Sequence, residues 1–264
     1  MYVDVHAHIV HPSFAGEEDA VAERAAAAGL GAVIVNGLEP RSNRAVLELC
    51  RRHPHLRAAL GIYPVDAGAA AIDRAGWTHD FPPPEVFDVD AEIAFIEAHA
   101  GEIAAIGECG LDAYWAPESL PLQEAVLRKL CGVARRTGLP MILHTRKAEQ
   151  RAFEILQEEG IERADFHCYG GKLKLGRRIA EAGYYLSIPP VVERADSFQA
   201  LARALPLDRI LTETDCPYMG PDRGERNEPA NVPRGVAAIA AARGEEIAVV
   251  ADAIAANYRR LFER

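Results

Sequence analysis

Short apolar runs alternate with Ala-rich, charge-studded stretches along the whole chain. The runs at 2–6, 32–36 (AVIVN), 57–62, 103–107, 140–144 (PMILH), 164–167, 184–188 and 209–213 (RILTE) read as eight strands. They are short and apolar, as strands covered on both faces should be. Residues 18–28, 42–52, 91–100, 120–137, 147–158, 173–182 and 197–204 read as helices set between them, the first stopping at Gly29. Two further helices, 232–242 and 246–262, close the chain. Such alternation implies a parallel sheet, and eight repeats in 264 residues predict a TIM (β/α)8 barrel forming a single domain over 1–264. A doubly wound open sheet is the competing arrangement.

One connection is out of proportion. Residues 66–90, between strands three and four, hold Trp77, His79, Phe81, Pro82, Pro83, Pro84 and Phe87. A connection of that length in a compact domain is usually functional or disordered. It is read as an insertion near the active-site rim that folds over the cup and narrows it, with Tyr63 in the wall.

Composition changes the picture little: 49% hydrophobic and 26% charged residues are ordinary for a globular enzyme and exclude a disordered chain. Charge adds more. Twenty-nine basic residues against thirty-nine acidic ones, a net of −10, argue against a protein that coats nucleic acid with a basic face. Action on one phosphate remains open, because bound metal reverses the sign locally. The five cysteines form no CxxC pair, so neither a disulfide framework nor a zinc ribbon is expected. No stretch approaches the roughly 20 apolar residues that span a bilayer. Met1 leads straight into Tyr2-Val3-Asp4 with no basic leader, so a cytoplasmic location with no membrane and no obligate protein partner is expected.

The candidate chemistry lies at the strand ends. Strand one ends in His6-Ala7-His8, strand four in Glu108, strand five in His144, strand six in His167, and Asp215 follows strand eight. In a TIM barrel the C-terminal strand ends converge on one face. Taken singly, each residue has an ordinary structural reading. Together they would bury four imidazoles and two carboxylates in one region, which is costly without a cation. Imidazole with carboxylate suits transition metals rather than an all-oxygen calcium site. Six ligands exceed one tetrahedral zinc, so two divalent ions with a bridging carboxylate are expected, zinc, manganese or magnesium. His6, His8 and Asp215 are assigned to one ion, His144 and His167 to the other, and Glu108 to the bridge, with Asp215 and Glu108 as the catalytic pair acting on a water. Arg146, two residues after His144, is assigned to a substrate phosphate. Glu213 is read as orienting a ligand histidine. Cys109, Cys168 and Cys216 neighbour proposed ligands but are read as small buried hydrophobes.

These residues sit in segments that resemble the TatD family of metal-dependent deoxyribonucleases, in the amidohydrolase superfamily. The segments are Asp4-Val5-His6-Ala7-His8, Gly61-Ile62-Tyr63-Pro64, Ala105 through Asp112 (AIGECGLD), Leu139-Pro140 with His144-Thr145-Arg146, His167 through Gly171 (HCYGG), Leu211 through Tyr218 (LTETDCPY) and Arg226-Asn227-Glu228-Pro229. The resemblance implies a TIM barrel, a di-metal site on the six residues named above, and hydrolysis of phosphodiester bonds in DNA. Tyr63 and Val65 stand where the family carries histidines that face substrate, so Tyr63 is assigned to substrate binding. The expected substrate is a DNA end or a small phosphodiester. The alternative is an amide, ester or lactone hydrolase acting on a small anion, since fold does not set substrate.

Overall fold

The structure is a computed structural model and describes residues 1–79 and 81–263. Eight strands lie side by side in chain order. They are β1 (Tyr2–Ala7), β2 (Leu30–Asn36), β3 (Leu56–Leu60), β4 (Ile103–Asp112), β5 (Met141–Arg146), β6 (Ala164–Phe166), β7 (Tyr185–Ile188) and β8 (Ile210–Thr212). Each ladder from β1–β2 to β7–β8 is parallel. Around them run α1 (Glu18–Ala27), α2 (Pro40–Arg52), α3 (Pro64–Ala67), α4 (Val89–Ala98), α5 (Leu120–Thr137), α6 (Glu149–Glu158), α7 (Leu173–Glu181), α8 (Asp196–Ala204), α9 (Val232–Arg243) and α10 (Ile247–Phe262). This is the expected TIM barrel, with helices between successive strands. No described helix is long and apolar enough to cross a membrane.

The barrel closes where β8 meets β1. Thr212 Oγ1 donates to the Val3 carbonyl at 2.7 Å, and the Thr214 backbone N–H and hydroxyl both donate to the buried Asp4 carboxylate. The Asp215 N–H donates to the His6 carbonyl at 2.8 Å, and the His8 N–H to the Cys216 carbonyl at 3.2 Å. The seam thus fixes Asp215 against the His6-Ala7-His8 segment.

The largest departure from the expected elements is β4, which runs on from 107 through Glu108 to Asp112. Cys109, Gly110, Leu111 and Asp112 pair with Leu143, His144, Thr145 and Arg146. A Gly-rich stretch reads as a break in sequence, but here the glycines serve close packing. A Cβ on Gly110, whose φ is +140°, would sit 2.0 Å from the His144 carbonyl oxygen, and one on Gly61 would sit 2.3 Å from that of Glu108. The backbones that carry two candidate ligands therefore touch their neighbours through hydrogen atoms alone.

The described residues of the 66–90 segment, 66–79 and 81–90, are anchored rather than loose. Val65, Ile72 and Ala116 form a small second core, with Tyr63, Trp77 and Trp115 packed against it. Trp77 Nε1 donates to the Phe81 carbonyl at 2.7 Å, Arg74 reaches the Pro84 carbonyl, and Asp88 caps α4 by accepting from the Ala91 N–H.

Gly110→Ala is expected to lower stability by about 2 kcal/mol or more, since the added methyl overpacks a backbone that has no side chain to yield. Thermal unfolding should register this as a fall in Tm of at least about 4 °C. An unchanged Tm would mean that β4 and β5 can separate at this point at no cost.

Candidate metal centre

Five of the strand ends deliver side chains to one cup. His6 comes from β1, His8 from just beyond it, Glu108 from β4, His144 from β5, His167 from the residue after β6, and Asp215 from beyond β8. Asp215 has a φ of +50°, a left-handed conformation that aspartate tolerates better than most residues, and it turns the chain as it leaves the barrel. The six fall into three overlapping groups able to hold a cation, each with its nitrogen and carboxylate atoms within 4.8 Å of one another: His6–His8–Glu108, Glu108–His144–His167 and His6–His167–Asp215.

Glu108 sits at the centre, and its two oxygens face different partners. Oε2 lies 3.3 Å from both His6 Nε2 and His8 Nε2. Oε1 lies 3.0 Å from both His144 Nδ1 and His167 Nε2. Asp215 Oδ1 stands 3.7 Å from His6 Nε2 and 3.6 Å from His8 Nε2. The rings of His6 and His167 stack at a centroid distance of 3.8 Å. All six arrive from a dry surround: His6 is fully buried, and the most open of them, Asp215, exposes 16% of its side chain.

The donor set fits a metal on its own terms. His6 Nε2 and His8 Nε2 face each other at 2.9 Å, where two lone pairs repel unless a proton or a cation stands between them. Buried nitrogens His6 Nδ1 and His167 Nδ1 have no hydrogen-bond partner. The titration pattern expresses the same crowding. Burial and the neighbouring His167 pull His6 down to about 3. Burial also acts against the charged form of His8, but Asp215 and Glu108 outweigh it and hold this imidazole up at about 10. For Glu108, burial alone would raise the carboxyl; His167 and His6 prevail and keep it well below the usual range. A divalent ion would take the place of such shared protons, because imidazole and carboxylate bind metal in their deprotonated forms.

A further layer holds these groups in place. His8 Nδ1 lies 3.2 Å from the Asn36 carbonyl, and His144 Nε2 lies 2.8 Å from Asp112 Oδ2. His167 Nδ1 faces Glu213 Oε2 at 3.6 Å, the orienting position expected of Glu213. Ser187 Oγ stands between Glu213 Oε2 at 2.8 Å and Asp165 Oδ2 at 2.7 Å. One hydroxyl proton cannot serve both acceptors. Burial accordingly raises Glu213, and burial with the charge of Glu213 raises Asp165 to about 7. Cys109 and Cys216 are buried, and Cys109 Sγ points to the Ile142 carbonyl at 3.7 Å, away from the cup.

Tyr63 stands edge-on to His144 at 4.9 Å, with its hydroxyl 3.5 Å from Asp112 Oδ2, so it forms part of the cup wall. Asn43 holds the Tyr63 segment from behind, donating to the Gly61 carbonyl at 2.9 Å and accepting from the Gly61 N–H at 3.2 Å. Arg146 lies exposed at the end of β5, its guanidinium 4.0 Å from the Tyr114 ring centroid and 4.8 Å from that of Trp115. Sequence reasoning gave no role to Asp112, Tyr114 or Trp115. Asp112 Oδ1 accepts the backbone N–H groups of Tyr114 and Trp115 at 2.8 and 2.7 Å, while Oδ2 meets His144. The available signal was its place four residues after Glu108, at the end of a strand that proved longer than expected.

Residues 3–263 match the family described as TatD related DNase. The chain is 31% identical over 269 residues to the deoxyribonuclease TATDN3 of Homo sapiens, covering 99% of this chain and 94% of that protein. It is 30% identical over 271 residues to the 3'-5' ssDNA/RNA exonuclease TatD of Salmonella typhimurium, covering 98% of each. The crystal structure of YjjV, a TatD homologue from Escherichia coli, superposes with a TM-score of 0.85 at 28% identity, covering 100% of this chain and 98% of that one. The family match and the aligned relatives run along nearly the whole length, and the chain belongs to the TatD-related DNase family.

Proposed function

We propose that this chain is a metal-dependent hydrolase that cleaves phosphodiester bonds, with a DNA end or a small phosphodiester as substrate. His6, His8 and Asp215 would hold one divalent ion, His144 and His167 a second, with Glu108 shared between them, each ion being zinc, manganese or magnesium. The observation that carries this reading is the division of Glu108, one oxygen 3.3 Å from His6 and His8 and the other 3.0 Å from His144 and His167. The substrate class is supported by relatives named as a deoxyribonuclease and as a single-stranded DNA/RNA exonuclease, each aligned over nearly the whole chain.

When bound, two such ions supply Lewis-acid polarisation of a phosphoryl oxygen and a more acidic water. The protein does the rest. Asp215 is the most open of the six, so its carboxylate can reach the attacking water and take its proton. Glu108 is committed through both oxygens and keeps the two halves of the cup in register. Arg146, stacked on Tyr114, keeps its in-plane N–H donors available for a phosphate next to the scissile one. Tyr63 walls the cup beside His144 and limits what can enter.

Elemental analysis of gently purified protein is expected to find two divalent ions per chain. In Glu108→Gln it should find one or fewer, with activity on bis-p-nitrophenyl phosphate reduced at least about a hundredfold. Full metal content and full activity in that variant would overturn the bridging assignment.

Asp215→Asn should lower kcat at least about a hundredfold while leaving the fold intact, because a positioned base contributes roughly 10²–10⁴-fold. A kcat within about threefold of wild type removes Asp215 from proton transfer.

Asp112 touches His144 rather than the cup. Asp112→Asn is expected to weaken metal binding by about 10- to 100-fold, as loss of a partner behind a ligand histidine does. Competition with a fluorescent chelator reads this directly, and an unchanged affinity would make Asp112 only a turn-former.

A further inference from the structure

A cavity lies beside the cup, where residues 66–90 meet the turn after β4. It has a volume of about 340 Å³ and is walled by Asp73, Trp77 and His79 from the 66–90 segment and by Tyr114, Trp115 and Glu118 from the turn after β4. The rings meet edge to face in sequence: Trp77 on His79 at 4.4 Å, His79 on Trp115 at 4.8 Å, and Trp115 on Tyr114 at 4.7 Å. Backbone and side chain lock the two halves together, with His79 Nε2 3.3 Å from the Trp115 carbonyl.

This cavity is tied to the metal cup by two short links. Asp112 accepts from the Tyr114 and Trp115 N–H groups with one oxygen and meets His144 with the other. Arg146 lies over the Tyr114 and Trp115 rings two residues after His144. A strand whose phosphate sat in the cup and passed Arg146 would have these aromatic walls beside it for its next unpaired base.

The lining decides which part of the strand enters. Asp73 and Glu118 repel a phosphate, whereas carboxylates accept hydrogen bonds from exocyclic amines. Planar π surfaces suit aromatic walls, and stacking on such walls is tolerant of base identity. The size is at the lower end of small-molecule pockets, right for a single ring system rather than a nucleotide run.

We propose that this cavity is a base-binding subsite that takes one unpaired, amino-bearing nucleobase (adenine, cytosine or guanine) from a strand whose backbone runs past Arg146. The proposal rests on the phosphodiesterase reading above. On this view the 66–90 segment supplies one wall of the subsite at the rim.

The chain has only two tryptophans, and both line this cavity, so tryptophan fluorescence reports on it alone. Metal-loaded protein would be titrated with short phosphorothioate single strands that resist cleavage: oligo-dC, oligo-dA, oligo-dT and an abasic strand of equal length. Saturable quenching is expected with oligo-dC and oligo-dA, binding at least about fivefold weaker with oligo-dT, and no saturable quenching with the abasic strand. Tyr114→Leu replaces a side chain that is 49% exposed and should keep its fold while binding oligo-dC about tenfold more weakly. The subsite is overturned if the abasic strand quenches as the base-bearing ones do, if no strand quenches, if oligo-dT binds as tightly as oligo-dC, or if Tyr114→Leu binds like wild type. Hydrolysis of an ordinary single strand, followed in parallel, separates the two readings. Cleavage without quenching removes the subsite and leaves the hydrolase; quenching without cleavage of any phosphodiester does the reverse.

Discussion

Everything in this barrel is subordinate to one constraint: four imidazoles and two carboxylates share a small, dry volume. Such groups cannot be buried together at random, since each loses its water and several repel their neighbours. The 2.9 Å approach of His6 Nε2 to His8 Nε2 is tolerable only with a positive charge shared between them. Glu108 supplies the compensating negative charge at the centre, one oxygen toward each half. The same balance that makes the side chains alone costly makes them strong ligands for divalent ions.

The surrounding structure holds that cluster still. The β8–β1 seam fixes Asp215 to the His6 carbonyl through a backbone hydrogen bond rather than leaving it on a free loop. Gly61 and Gly110 let neighbouring backbones come into contact beside Glu108 and His144. Asn36, Asp112 and Glu213 each face the ring nitrogen of a histidine on the side away from the cup. Ligand geometry is therefore set by packed strand ends, which are stiffer than the loops they lead into.

Charge organises the molecule at a larger scale. A chain of net −10 does not gather a polyanion over its surface. On the proposed function, attraction for phosphate would be local, confined to a metal-loaded cup and to Arg146 at its lip. Next to that lip, Asp73 and Glu118 make the aromatic cavity unwelcoming to phosphate. Adjacent regions of opposite preference would distinguish backbone from base along a single strand.

Much of this was legible in the sequence. Apolar runs with strand-like content, spaced by helices, are a local property, and among the described residues they placed all eight strands and nine of the ten α-helices close to their observed positions. The four-residue α3 and the short 3-10 turns, too short to show helical spacing, were not anticipated. The six candidate ligands were legible because strand ends of a parallel barrel converge by topology, and the His-x-His and Glu-Cys-Gly-Leu-Asp segments fell at those ends. What local sequence could not decide was partnership across strands. The extension of β4 depends on pairing with β5, since Gly110 reads as a breaker until the carbonyl of His144 lies against it. Asp112 looked like the end of a motif until both of its oxygens found partners from other segments. Trp77 and Trp115 are separated by a helix and a strand in the chain, and only the closed barrel brings their rings to the same rim. Periodicity and residue type are written residue by residue; which side chains face one another is a property of the packed whole.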